Sequence, residues 1–169
     1  MEQSFSYPRE YTKEQLYSAF LEDYITYIEG ETDVISTLAN IAAALHQAFG
    51  FFWVGFYLVH DSQWLHLGPF QGTVACTRIR YSRGVCGTAW ATDSTTVVPD
   101  VLQFPGHIAC SSDSRSEIVI PIHNNRGAVI AVLDIDSTSI DAFDEFDRRG
   151  LEDIVAALER NLAESQKGL

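Results

Sequence analysis

Cys76, Cys86 and Cys110 fall within a span of 35 residues, and the last stands in Phe104-Pro-Gly-His-Ile-Ala-Cys110-Ser-Ser, just upstream of a strand that begins with an acid. A free cysteine is most often a small buried hydrophobe. Cys86, ahead of Gly87 and Ala89 at the start of a short helix, fits either that role or a thiolate at a helix end. Cys110 differs, because a polar loop with Gly106, His107, Ser111 and Ser112 gives a thiol access and lets oxidation be followed by movement. The chemistry these residues suggest is thiol redox. A zinc site from Cys76, Cys86, His107 and Cys110 lacks the closely spaced ligand pair of such centres, so no metal and no other cofactor is expected. His107 alone reads as a hydrogen-bonding loop residue.

The second group with chemical potential is a set of acids on apolar strands. Residues 117–123 and 128–136 flank Asn124-Asn-Arg-Gly127, a strong hairpin signal. A symmetric turn there pairs residues whose numbers sum to 251, setting Glu117 opposite Asp134 and Arg115 opposite Asp136. Alternation puts Asp134 and Asp136 on one face with Ile130 and Val132, and Ala131, Leu133 and Ile135 on the other. Facing like charges on an apolar strand are unfavourable and poorly solvated, which calls for a cation or a shared proton. Three readings stay open: strand ends that protrude into water, neutralisation by Arg115, or a pocket for a ligand ammonium or a donated proton.

The elements that must position these groups follow from periodicity. Residues 12–28 carry Leu16, Phe20, Tyr24 and Tyr27 at helical spacing behind a capping threonine. A second helix starts near Thr32-Asp33, presents Val34, Leu38, Ile41, Ala42, Leu45 and Phe49, and stops at Gly50. Residues 51–59 and 64–70 form a hairpin about Asp61-Ser62. A short strand at 77–81, a turn at Gly84, a short helix at 86–90 and a strand at 95–98 precede a loop from Pro99 to Ser116. At about seventeen residues that loop is long enough to be a lid or binding loop. Asp144 caps a last helix to about Glu164 with Leu151, Ile154, Val155 and Leu158 inward. The order predicts an α+β fold with a central antiparallel sheet flanked by N-terminal and C-terminal helices.

Composition narrows the function classes. With 169 residues and 46% hydrophobic content the chain is expected to form one domain with its own core. A net charge of −12 disfavours nucleic acid, and no apolar run suits a membrane span. A cytoplasmic location is expected, where three cysteines would serve transient rather than structural bonding.

The stretches Trp53-Val-Gly-Phe-Tyr57, Gly84-Val-Cys-Gly-Thr-Ala89, Phe104 to Cys110, Ser116-Glu-Ile-Val-Ile-Pro-Ile122 and Val132-Leu-Asp-Ile-Asp-Ser137 closely resemble the free methionine-(R)-sulfoxide reductases, which are single GAF domains. The likeness runs over nearly the whole chain, with the cysteines ten and twenty-four positions apart as in the family. Phe52 departs from the asparagine many members carry.

The resemblance implies that Cys110 attacks the sulfoxide sulfur, that Cys76 captures the resulting sulfenic acid, and that thioredoxin reduces the disulfide. Cys86 matches a third catalytic-set thiol able to form an alternative disulfide. The implied substrate-binding set is Trp53, Glu117, Asp134 and Asp136, and a homodimer is compatible with it. Physically, a sulfoxide sulfur is a good electrophile only when its oxygen is protonated, which favours Glu117 as a neutral general acid. Asp134 and Asp136 would pair with the free ammonium. A non-catalytic GAF sensor of a small ligand, or a thiol redox switch, is the alternative function for such a scaffold.

Overall fold

The computed structural model describes residues 4–108 and 110–165. Helix α1 spans Lys13–Ile28 behind a capping box in which the Thr12 hydroxyl accepts from the Gln15 N–H and the Gln15 side chain accepts from the Thr12 N–H. Its buried stripe is Tyr17, Phe20, Tyr24 and Ile28. Leu16 is only half-buried and Tyr27 is exposed, so the helix is rotated from the expected face. Its contact with the C-terminal helix sets this rotation: Tyr17 reaches across to Asp147 at 3.0 Å. Helix α2, Val34–Phe49, is capped by Asp33 and ends at Gly50, whose φ of 67° suits the missing side chain.

Six strands follow in the antiparallel sheet order β3-β2-β1-β6-β5-β4: β1 Trp53–Val59, β2 Trp64–Gln71, β3 Arg78–Arg80, β4 Thr96–Val98, β5 Ser116–His123 and β6 Val129–Ser137. Helix α3, Gly84–Thr92, links β3 to β4, and α4 spans Glu145–Ser165. Asp144 caps α4 by accepting from the N–H groups of Phe146 and Asp147. The long loop after β4 contains one short 3-10 turn, Val101–Gln103, capped by Asp100.

Alternation divides the sheet into two chemically different faces. Val54, Phe56, Ile118, Ile120, Ile122, Ala131, Leu133 and Ile135 pack with α1, α2 and α4 in the larger core. Trp53, Tyr57, Val119 and Val132 face the other way, in a smaller cluster with Val85, Cys86 and Ala89 of α3. The acids are on this second face.

The hairpin register differs from the symmetric expectation by two residues. Asn124 pairs with Ala128 across a loop closed by Gly127 at φ 76°, one residue longer than assumed. A bulge then moves the pairing from His123↔Val129 to Ile122↔Ala131, with Ile130 extra. Glu117 therefore lies opposite Asp136 rather than Asp134, and Asp134 lies opposite Val119. Two single-residue offsets cancel in parity, so the acids keep their common face while their partners change. Ile130, as the bulged residue, packs towards the helices instead of joining Val132. Arg115 lies beyond the paired strand, bonds through its backbone N–H to Ser137, and does not face Asp136.

Gly87 seats α3 against the strand that precedes it. A Cβ built there would come 2.4 Å from the Arg80 carbonyl oxygen. In an open helix Gly→Ala stabilises by roughly 0.5–1 kcal/mol. At this position Gly87→Ala is expected to destabilise by about 1–3 kcal/mol, read from urea unfolding; a stabilised variant would contradict so close a contact.

Candidate active site

Three carboxylates form the floor of a cavity on the smaller-core face. Glu117 and Asp134 are each only 6% exposed, while Asp136 is partly buried beside them. The Cys86 thiol, three residues into α3, approaches Glu117 Oε1 at 3.9 Å, and the Ser114 hydroxyl donates to Asp136. Asp134 Oδ1 is buried without a hydrogen-bond partner. Arg115 does not neutralise the group, because its guanidinium lies 4.0 Å from Asp100. Among the described residues no lysine, arginine or histidine forms an ion pair with the three acids.

This arrangement changes every proton affinity in it. Burial, then the neighbouring Asp134 and Asp136, holds the Glu117 carboxyl well above the usual range. Burial and Asp136 push Asp134 up as well, with the neighbouring Cys86 and Glu117 side chains opposing the rise. Burial raises Asp136 from 3.8 to about 6, with the Ser114 bond opposing. The Cys86 thiol is raised well above its ordinary value by burial and then by Asp134 and Glu117, so its place near a helix start does not make it a thiolate. The floor favours a shared proton and has capacity for a cation.

Strand β1 supplies one wall. Trp53 lies opposite Asp136 and Gly55 opposite Asp134. The bare Gly55 leaves room for the Trp53 ring, whose Cη2 would be 2.7 Å from an added Cβ. Trp53 stacks on Phe70 and Tyr57, and its indole N–H donates to the Thr73 carbonyl at 2.9 Å. The Tyr57 hydroxyl donates to the Cys76 carbonyl at 3.0 Å. Two aromatic side chains of one strand thus hold the backbone of the loop that carries Cys76.

That loop and the loop through Cys110 cover the floor, and a disulfide joins Cys76 to Cys110. Cys86 is the free cysteine, and it is buried. His107 lines the cavity with Nδ1 unpartnered, and burial lowers its proton affinity, so it is neutral near pH 7. The cavity and its open mouth together take in about 510 Å³ of space not filled by protein atoms. Ile79 and Val85 add apolar lining.

All seven expected residues line this cavity or its covering loops: Trp53, Cys86, Cys110, Glu117, Asp134 and Asp136 at the cavity, and Cys76 in the disulfide. The four residues of the conceivable zinc set do not come together as ligands, since two of their sulfurs are bonded to each other. Tyr57 and Ser114 were missed. Period-2 alternation from Trp53 marks Tyr57 for the same face; the loop serine carries no comparable signal.

The GAF domain family matches residues 33–162. A GAF domain-containing protein A of Dictyostelium discoideum is 52% identical over 148 residues, 88% of this chain and 93% of its own. The free methionine-R-sulfoxide reductase of Escherichia coli K12 is 45% identical over 152 residues, 89% of this chain and 91% of its own. The X-ray structure of the free methionine-R-sulfoxide reductase of Neisseria meningitidis, in complex with its substrate, is similar at a TM-score of 0.93 and 47% identity, covering 100% of both chains.

Two outcomes follow from the acids and thiols. The folded protein holds the Asp136 proton more tightly than the unfolded chain. The stability this confers is complete below about pH 4 and lost as pH rises through about 6. The stability of wild type relative to Asp136→Asn should fall across that window by on the order of 1–3 kcal/mol, measured by urea unfolding; a constant difference would show that Asp136 keeps its ordinary affinity. Denatured without reductant, the oxidised protein should titrate one thiol, and three after reduction.

Proposed function

We propose, for a chain that belongs to the free methionine-R-sulfoxide reductases of the GAF domain family, that it reduces free methionine-(R)-sulfoxide through a cysteine sulfenic acid and an intramolecular disulfide. The observation that carries this reading is an acid floor, to which no cation among the described residues is ion-paired, lying beneath a bonded Cys76–Cys110 pair. The R preference and a thioredoxin reductant follow from family membership, and residues 1–169 act as one GAF unit.

In the reduced enzyme the substrate ammonium lies against Asp134 and Asp136, supplying the positive charge that the described residues do not place there. Such charged hydrogen bonds contribute roughly 1.5–3 kcal/mol each. A methionine sulfoxide inside a polypeptide lacks that ammonium and leaves the acids buried and unpaired, which penalises it. Trp53 walls the methyl and thioether region.

Glu117, held neutral by burial and its acidic neighbours, donates a proton to the sulfoxide oxygen as the Cys110 sulfur attacks the substrate sulfur. The oxygen ends on Cys110 as a sulfenic acid and methionine leaves with its sulfur reduced by two electrons. Cys76 then attacks the sulfenic sulfur, expelling water and forming the disulfide. Tyr57, by holding the Cys76 carbonyl, keeps the resolving residue beside the cavity. A dithiol reductant of the thioredoxin class returns both thiols. Cys86 belongs to the catalytic set through its contact with Glu117, where it opposes the rise in that acid's proton affinity.

The test is NADPH consumption with free methionine-R-sulfoxide, thioredoxin and its reductase. Cys110→Ser is expected to abolish turnover, and Glu117→Gln to slow it by about 10²–10⁴-fold with the fold intact. Absence of turnover with wild type, or full turnover by Cys110→Ser, would sink the assignment in favour of a ligand sensor. Peroxide consumption without sulfoxide reduction would favour a thiol switch.

A further inference from the structure

We propose that Cys86, Glu117 and Asp134 also form a binding site for a borderline-soft divalent cation of the zinc class, and that this cation excludes the substrate ammonium. One ligand atom from each of the three residues lies within 4.8 Å of the others, and all three residues are buried. The Cys86 Sγ to Glu117 Oε1 separation is 3.9 Å. Two ligands of a tetrahedral zinc, one sulfur and one carboxylate oxygen, stand about 3.5 Å apart at ordinary bond lengths, so a small adjustment suffices. Beyond this proximity, Asp134 Oδ1 has no hydrogen-bond partner, in a residue only 6% exposed that lines the cavity.

The donor set selects the metal. Calcium and magnesium demand six or more oxygens or retain several waters. One thiolate and two carboxylates with a fourth position open to the cavity suit zinc or cadmium. This set is distinct from Cys76, Cys86, His107 and Cys110, and it stays intact when Cys76 and Cys110 are bonded. On binding, the Cys86 proton and any proton held by Glu117 or Asp134 are released to solvent, so that the sulfur ligates as thiolate and the acids as carboxylates. The exclusion of substrate rests on the function proposed above, because it requires the ammonium to use Asp134; the cation site itself does not.

The experiment uses the oxidised protein, in which Cys86 is the sole thiol, and Co²⁺ as a coloured probe. One equivalent should give a thiolate-to-cobalt charge-transfer band that Zn²⁺ abolishes. Cys86→Ser should lose the band, and Asp134→Asn and Glu117→Gln should each weaken Co²⁺ at least about tenfold, with circular dichroism confirming the fold. Free L-methionine, which carries the same ammonium, should raise the apparent Co²⁺ dissociation constant. A titration without the band, a band retained in Cys86→Ser, or undiminished affinity in both carboxylate variants would overturn the site; indifference to methionine would overturn the exclusion. Sulfoxide reduction assayed in chelator separates the two claims. Cobalt binding without turnover would remove the function and leave the site, whereas turnover without a cobalt band would remove the site alone.

Discussion

Burying three carboxylates on one sheet face, with no lysine, arginine or histidine among the described residues ion-paired to them, is the constraint around which this structure is organised. Burial raises the proton affinities of Glu117, Asp134 and Asp136 beneath the Cys76–Cys110 loops, and the neighbouring acids raise those of Glu117 and Asp134 further. The fold leaves the conflict unrelieved. Arg115, two residues before Glu117, has its ion pair with Asp100 at 4.0 Å, and Asp134 retains an oxygen with no donor. A floor of this kind rewards whatever brings positive charge or an exchangeable proton into the cavity. The proposed chemistry needs both.

The rest of the architecture keeps that floor rigid. The helix-facing side of the sheet is filled by aliphatic and aromatic side chains from β1, β5 and β6 against α1, α2 and α4. That packing fixes the strands, and the strands fix the acids. On the opposite side α3 approaches β3 so closely that only Gly87 fits, which brings Cys86 to Glu117. Trp53 and Tyr57 use their apolar bodies to wall the cavity and their polar tips to hold the loop at Thr73 and Cys76.

Much of this was legible from periodicity. The two N-terminal helices, both hairpins and the C-terminal helix follow from capping residues and apolar spacing, and the common face of the acids follows from alternation. What escaped was set by geometry with little local signature. The bulge at Ile130 and the longer turn at Gly127 exchanged the partners of Glu117 while preserving its face. The rotation of α1 that favours Tyr17 over Leu16 depends on α4, far along the chain. Family resemblance assigned the cysteine pair, which spacing alone left undetermined; the carboxylate face needed no such help.

The Cys76–Cys110 bond encloses β3, α3 and β4 in a covalent ring, with 34 positions separating its ends. Closing a ring of that length restricts the unfolded chain by an amount worth roughly 4 kcal/mol in the chain-entropy description. In the catalytic cycle proposed above the enzyme makes and opens this bond at every turnover, and so would alternate between a cross-linked molecule and one lacking the cross-link. Its resistance to heat and proteolysis becomes a function of reductant supply. When reductant is scarce the protein waits in its more durable form, and the departure of the cross-link accompanies its return to work.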